Sequence, residues 1–88
     1  MSINLWKGDF GLTYHQRNRF HPDEVAPVFN RILDGVHVGS VLEVGCGLGH
    51  NLAAIDAPVK TGVEPNDTAR EDARRAYPDI MFMDGDVL

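Results

Sequence analysis

Apolar residues recur in two different rhythms along the chain, and the change of rhythm gives its plan. Val25, Val28, Phe29, Ile32 and Leu33 fall at i, i+3, i+4, i+7 and i+8, one face of a helix. His21-Pro22-Asp23-Glu24 opens that helix, with Asp23 as the expected N-cap and Glu24 near the positive end of the dipole. On that placement Pro27 falls in the first turn, where it is tolerated, and Gly35 closes the helix. Ser40-Val41-Leu42-Glu43-Val44 then reads as a short buried strand ended by Gly45. Leu48, Leu52 and Ile55 share one face of a following helix that stops before Pro58. Lys60 to Glu64 reads as a second strand. Asn66 or Asp67 caps a third helix, with Glu71 and Asp72 early, Arg74 and Arg75 late, and Ala69, Ala73 and Ala76 as its inner face. Pro78 ends it, and Ile80 to Met83 is a third strand. A helix followed by β-α-β-α-β with short connections predicts an α/β fold: a Rossmann-like parallel sheet, truncated after the third strand.

Residues 1–20 carry Trp6, Phe10 and Tyr14 among Lys7, Arg17 and Arg19, with neither periodicity. They read as an irregular arm, either packing on the core or folding as a lid over a ligand with Tyr14 or Arg17 near it. Residues 21–88 are then the N-terminal half of a larger domain. The ending Gly85-Asp86-Val87-Leu88, straight after a strand, predicts a chain cut short.

Composition narrows the function classes. A chain of 88 residues makes one small domain at most, and 43% apolar with 24% charged residues is ordinary for a globular protein. A net charge of −5 argues against sequence-independent nucleic-acid binding, which needs a basic face. One cysteine excludes an internal disulfide framework and a zinc quartet, and the four histidines lack metal-ligand spacing. Neither a signal peptide nor an apolar stretch of membrane-spanning length is read, so the expected location is cytoplasmic.

The chemistry concentrates at the strand ends. Glu43-Val44-Gly45-Cys46-Gly47-Leu48-Gly49 joins a strand to a helix, and glycines there let the backbone turn sharply and approach a ligand. The helix start behind them offers unpaired N–H groups. In an open α/β sheet ligands sit beyond the carboxyl ends of the strands. Glu64, nineteen residues after Gly45, ends the second strand, where a carboxylate can accept both hydroxyls of a ribose. Asp86, after the third strand, can accept from an exocyclic amine such as that of adenine, although Asp84 is a near neighbour for the same task. Glu43 either braces the loop or faces a ligand ammonium group. Cys46, at a helix N-terminus, invites a nucleophile reading because that position lowers a thiol pKa; a small residue filling a tight loop is the plainer one. His50 reads as a surface or capping residue, and Arg70, Arg74 and Arg75 as a solvated helix end. The spacing Gly-x-Gly-x-Gly, with His50 next, departs from the Gly-x-Gly-x-x-Gly of dinucleotide sites.

V-L-E-V-G-C-G-L-G, then G-V-E-P-N, then G-D-V-L resemble the three successive cofactor motifs of class I S-adenosylmethionine-dependent methyltransferases. The resemblance implies that Gly45, Cys46, Gly47 and Gly49 hold the methionine end of S-adenosylmethionine, and that Glu64 binds the ribose. It implies that Asp86 takes the adenine amine and the Val87 N–H an adenine ring nitrogen. Trp6-Lys7-Gly8-Asp9-Phe10-Gly11, Tyr14 and Arg17-Asn18, with His50-Asn51-Leu52, resemble the pseudaminic acid biosynthesis-associated methylases. That narrower likeness implies a small methyl acceptor of sugar or nonulosonic-acid metabolism. No general base stands out. Two other classes stay open: an NAD(P)-binding oxidoreductase fragment, and a non-catalytic S-adenosylmethionine-binding or interaction module. The first strand would present a bare hydrophobic edge, open to self-association, and the 88-residue chain alone is expected to be inactive.

Overall fold

The computed structural model describes residues 21–85. Six elements follow in order: α1 (Pro22–Ile32), β1 (Ser40–Val44), α2 (His50–Ala54), β2 (Val59–Val63), α3 (Asp67–Ala76) and β3 (Met81–Met83). The strands form one parallel sheet in the order β1-β2-β3. Leu42 faces Thr61, which faces Met81, and Glu43 faces Gly62, which faces Phe82. Chain order and spatial order coincide because each short helix carries the chain back to start the neighbouring parallel strand.

The α/β fold read from the sequence is the observed one, with local corrections. His21, not Asp23, is the N-cap of α1: its Nδ1 accepts the Asp23 N–H at 3.1 Å. Pro22 therefore occupies the first helical position, where a fixed φ and a missing N–H suit it. The helix thus starts earlier than expected, and Pro27 lies inside it rather than in its first turn. β2 begins at Val59 and ends at Val63, one residue earlier than expected.

The core lies on one side of the sheet. Cys46, Leu52, Ala73, Ile80 and Phe82 form a buried cluster, with Val41, Ala53 and Tyr77 packed on it. Leu52 and Ala73 are fully buried, so α2 and α3 both cover the face that carries Phe82. Ala76, expected on the inner face of α3, is exposed; Arg70 is buried in that helix instead. Among the described residues nothing covers the other face. Leu42 is 64% exposed and Met81 61%, and Val44, Val59 and Met83 are also exposed. β1 was expected to be buried, but it alternates between covered and open positions, as a strand with helices on a single face of its sheet must. Among the described residues β1 pairs only with β2, which leaves its outer edge open. No helix among the described residues is long and apolar enough to cross a membrane.

Candidate functional site

All three strands point the same way, so their carboxyl ends meet at one rim. The backbone stitches that rim together. Gly45 and Cys46 N–H donate to the Val63 carbonyl at 2.7 and 3.2 Å, and Glu64 N–H donates to the Met83 carbonyl at 3.0 Å. Gly45, Gly47 and Gly49 all take positive φ, at 73°, 58° and 84°, which L side chains resist. The sequence folds here as a tight glycine turn because only glycine adopts that run without strain. Gly49 is also the N-cap of α2, and no side chain caps that helix.

The anchor of the turn comes from the next strand. Glu64, 1% exposed, accepts the Gly47 N–H on Oε1 at 2.7 Å and the Asn66 N–H on Oε2 at 2.8 Å. A buried carboxylate is tolerated when fixed donors replace its water, and two backbone N–H groups do so here. Asn66 is itself buried and caps α3, its Oδ1 accepting the Ala69 N–H at 2.9 Å. Arg70 closes the arrangement from one helical turn further on. Its Nη1 donates to the Glu64 carbonyl at 2.8 Å, and its Nη2 to Asp67 at 2.6 Å.

Glu43 lies under the rim on the helix-covered face. Its Oε2 accepts the Asn51 Nδ2 at 3.2 Å, while its Oε1 is buried without a hydrogen-bond partner among the described residues. Desolvation pushes its pKa up, Asn51 pulls it back down, and the Glu64 carboxylate adds a smaller upward push. A buried, unsatisfied acceptor in this place suits a cationic or N–H-bearing group.

The structure brings together Glu43, Gly45, Cys46, Gly47, Gly49 and Glu64 of the residues singled out in the sequence. Tyr14, Arg17, Asp86 and Val87 lie outside the described residues. One open alternative closes and two readings change. Cys46 is not an activated thiol: desolvation, then the Glu64 and Glu43 charges, push its pKa up to about 12, against the lowering expected of a helix N-terminus. It is 8% exposed and belongs to the core. His50 is neither a cap nor a surface residue; its Nδ1 lies 2.8 Å from the Tyr77 hydroxyl, and the rings meet edge to face. Arg74 and Arg75 do behave as a helix end, pairing with Glu71 and Asp72, but Arg70 is a buried part of the rim. The only sequence sign of this was its place six residues after Glu64, one turn into α3. A cavity of about 440 Å³ lined by His21, Lys60, Tyr77 and Ile80 holds none of the predicted residues and lies toward the opposite ends of the strands.

No family model matches the sequence, and no curated protein sequence matches it either. Solved structures do. The chain is similar to the S-adenosylmethionine-bound amino pentose methyltransferase CalS10 of Micromonospora echinaspora, involved in calicheamicin biosynthesis. The TM-score is 0.65 at 28% identity, over 90% of this chain and 35% of that one. A protein of Methanococcus maripaludis described as an S-adenosyl-L-methionine-dependent methyltransferase gives a TM-score of 0.68 at 17% identity, over 93% of this chain and 43% of that one. The complex of DhpI with SAM and HEP gives 0.63 at 19% identity, over 96% and 41%. The chain thus spans less than half the length of each of these proteins. It has the Rossmann-like α/β fold of class I S-adenosylmethionine-dependent methyltransferases, and comprises three parallel strands of that fold.

Proposed function

We propose that this chain is the S-adenosylmethionine-binding half of a methyltransferase acting on a small molecule. The observation that carries the reading is the 2.7 Å bond between the Gly47 N–H and the Glu64 carboxylate, which sets the glycine turn and the strand-two acid on one rim. A nucleoside with an amino-acid tail needs that pairing: an acid for the diol, and a close-approach turn for the tail. Burial of Glu64 excludes competing water and strengthens each bond it makes.

In this reading Gly45, Cys46, Gly47 and Gly49 receive the methionine end, Cys46 through its backbone. Glu43 meets the ammonium group with its unsatisfied Oε1. Asp86 and the Val87 N–H take the adenine, and residues 1–20 fold over the ligand with Tyr14 or Arg17 near the carboxylate. S-adenosylmethionine, when bound, supplies an electrophilic methyl group on a sulfonium. The chain orients that donor and excludes water, which is the larger part of the work in a displacement of this kind. An acceptor of sugar or nonulosonic-acid metabolism is supported by the N-terminal resemblance and by the likeness to an amino pentose methyltransferase. The bare sheet face and open β1 edge support the reading that residues 1–88 alone are inactive and self-associate; gel filtration giving a clean monomer would count against the second part.

Calorimetric titration with S-adenosylmethionine and, separately, with NADH tests the proposal. Binding of the first alone is expected; selective binding of NADH would overturn it. Transfer of a labelled methyl group to sugar-type acceptors by the intact protein then tests the activity.

A further inference from the structure

We infer that Arg70 is a positioning residue for Glu64, holding the main chain of that acid so that its carboxylate faces the diol of a bound nucleoside. The inference rests on the nucleoside-binding reading given above and adds a residue to it.

Among the described residues Arg70 is the only buried base, with its side chain 10% exposed. Burying a guanidinium carries a large desolvation penalty. An aliphatic side chain would fill the same space on the inner side of α3 without that penalty, so stability alone does not account for an arginine here. What the guanidinium does that an aliphatic chain cannot is fork. Nη1 donates to the Glu64 carbonyl at 2.8 Å and Nη2 to the Asp67 carboxylate at 2.6 Å. Nη1 also lies 3.5 Å from Asp84, just beyond β3. One planar group therefore ties the exit of β2 to the start of α3 and reaches the exit of β3.

The consequence falls on Glu64. Its N–H is held by the Met83 carbonyl, its carbonyl by Arg70, and its carboxylate by the Gly47 and Asn66 N–H groups. With main chain and side chain both fixed, the carboxylate is preorganised and loses little freedom on accepting a ligand. The Asp67 side chain is 83% exposed and Asp84 67%, so their ion pairs with Arg70 add little stability. The Asp67 arm of the fork instead sets the plane of the guanidinium, so that the other arm meets the buried Glu64 carbonyl.

The test uses Arg70→Met, Arg70→Lys, Glu64→Gln and the double variant Arg70→Met/Glu64→Gln in the intact protein. Each is titrated by calorimetry with S-adenosylhomocysteine and with 5′-methylthioadenosine, which keeps the nucleoside and lacks the amino-acid end. Arg70→Met should weaken both ligands on the order of tenfold. Arg70→Lys should not restore the loss, because an ammonium cannot fork. In the Glu64→Gln background the Arg70 substitution should cause little further loss, since its effect passes through Glu64; a purely structural role would instead multiply the two losses and would be repaired by lysine. Wild-type affinity in a folded Arg70→Met protein, or in Arg70→Lys if the methionine variant does not fold, would overturn the inference while leaving the nucleoside site standing. Failure of the unmodified protein to bind either ligand would overturn the nucleoside site itself, and the inference with it.

Discussion

The two strand-to-helix turns at the rim are built from opposite materials. The β1–α2 turn is almost all backbone: three positive-φ glycines and a helix start that no side chain caps. The β2–α3 turn is a buried polar knot of Glu64, Asn66 and Arg70, with α3 capped by Asn66. The first turn has shape but no anchor of its own, and the second supplies the anchor through Glu64. A backbone-only turn leaves N–H groups free to meet a ligand, while a side-chain knot fixes where that turn sits. Substitutions that strike both turns, then one, then neither, separate these contributions.

Glu64→Ala strikes both. It removes one carboxylate and orphans the Gly47 and Asn66 N–H groups together. Hydrogen bonds to charged groups contribute roughly 1.5–3 kcal/mol each, so a loss of about 3 kcal/mol or more is expected. Urea unfolding of the intact protein measures it. A loss below about 1 kcal/mol, near that of an ordinary surface substitution, would break the picture of Glu64 as common anchor.

Within the glycine turn two positions differ in surroundings but not in backbone. Gly49 and Gly45 have φ of 84° and 73°. A Cβ on Gly49 would sit 2.8 Å from Cζ of Phe82, whereas one on Gly45 meets nothing within 4 Å. Gly49→Ala should therefore cost about 2–3 kcal/mol, from the left-handed strain plus a clash with the core. Gly45→Ala should cost only the strain, about 1 kcal/mol. Thermal melts of the two variants check the order, and equal losses would mean that Phe82 yields freely. Asn66→Ala strikes the second turn alone. Loss of the cap bond to Ala69 should cost about 1 kcal/mol and, because Glu64 keeps its bond to Gly47, should spare the first turn.

This contrast also explains what was legible in the sequence. The β1–α2 turn announces itself because glycines at fixed spacing are a local signal, and the element order followed from periodicity in the same way. The polar knot was only half visible. Glu64 and the Asn66 cap were readable from their positions at element ends. Arg70 was not, because an arginine six residues after a strand resembles any other helix arginine until the fold places a carbonyl beside it. The nucleophile alternative for Cys46 fails for a related reason, and the plainer reading of a small residue in a tight loop is the one its burial supports. The helix-start rule predicts a lowered pKa, but the core that buries the thiol and the Glu64 carboxylate near it are supplied by other segments. The bare sheet face was hidden because an apolar strand residue reads as buried whichever face it occupies, and only the placement of α2 and α3 on one side settles which.

Glu43→Gln has the smallest effect and touches neither turn directly. The carboxyl of Glu43 has a raised pKa, chiefly through desolvation. An acid whose folded-state pKa exceeds its unfolded value binds protons more tightly in the folded state. Between those two values the unfolded chain carries fewer protons, so stability falls as pH rises through that window. Below both values Glu43 is neutral in either state and contributes no slope; above both, its ionised form is a constant penalty. Glutamine cannot ionise, keeps an oxygen for Asn51, and should flatten the stability profile in the window just above the ordinary glutamate range while leaving it unchanged in more acid solution. Denaturant midpoints read across that range give the comparison. The same substitution should weaken a ligand bearing an ammonium group more than 5′-methylthioadenosine, which has none, because the Glu43 Oε1 is buried without a partner among the described residues. Equal loss for both ligands would return Glu43 to the role of a brace for the loop.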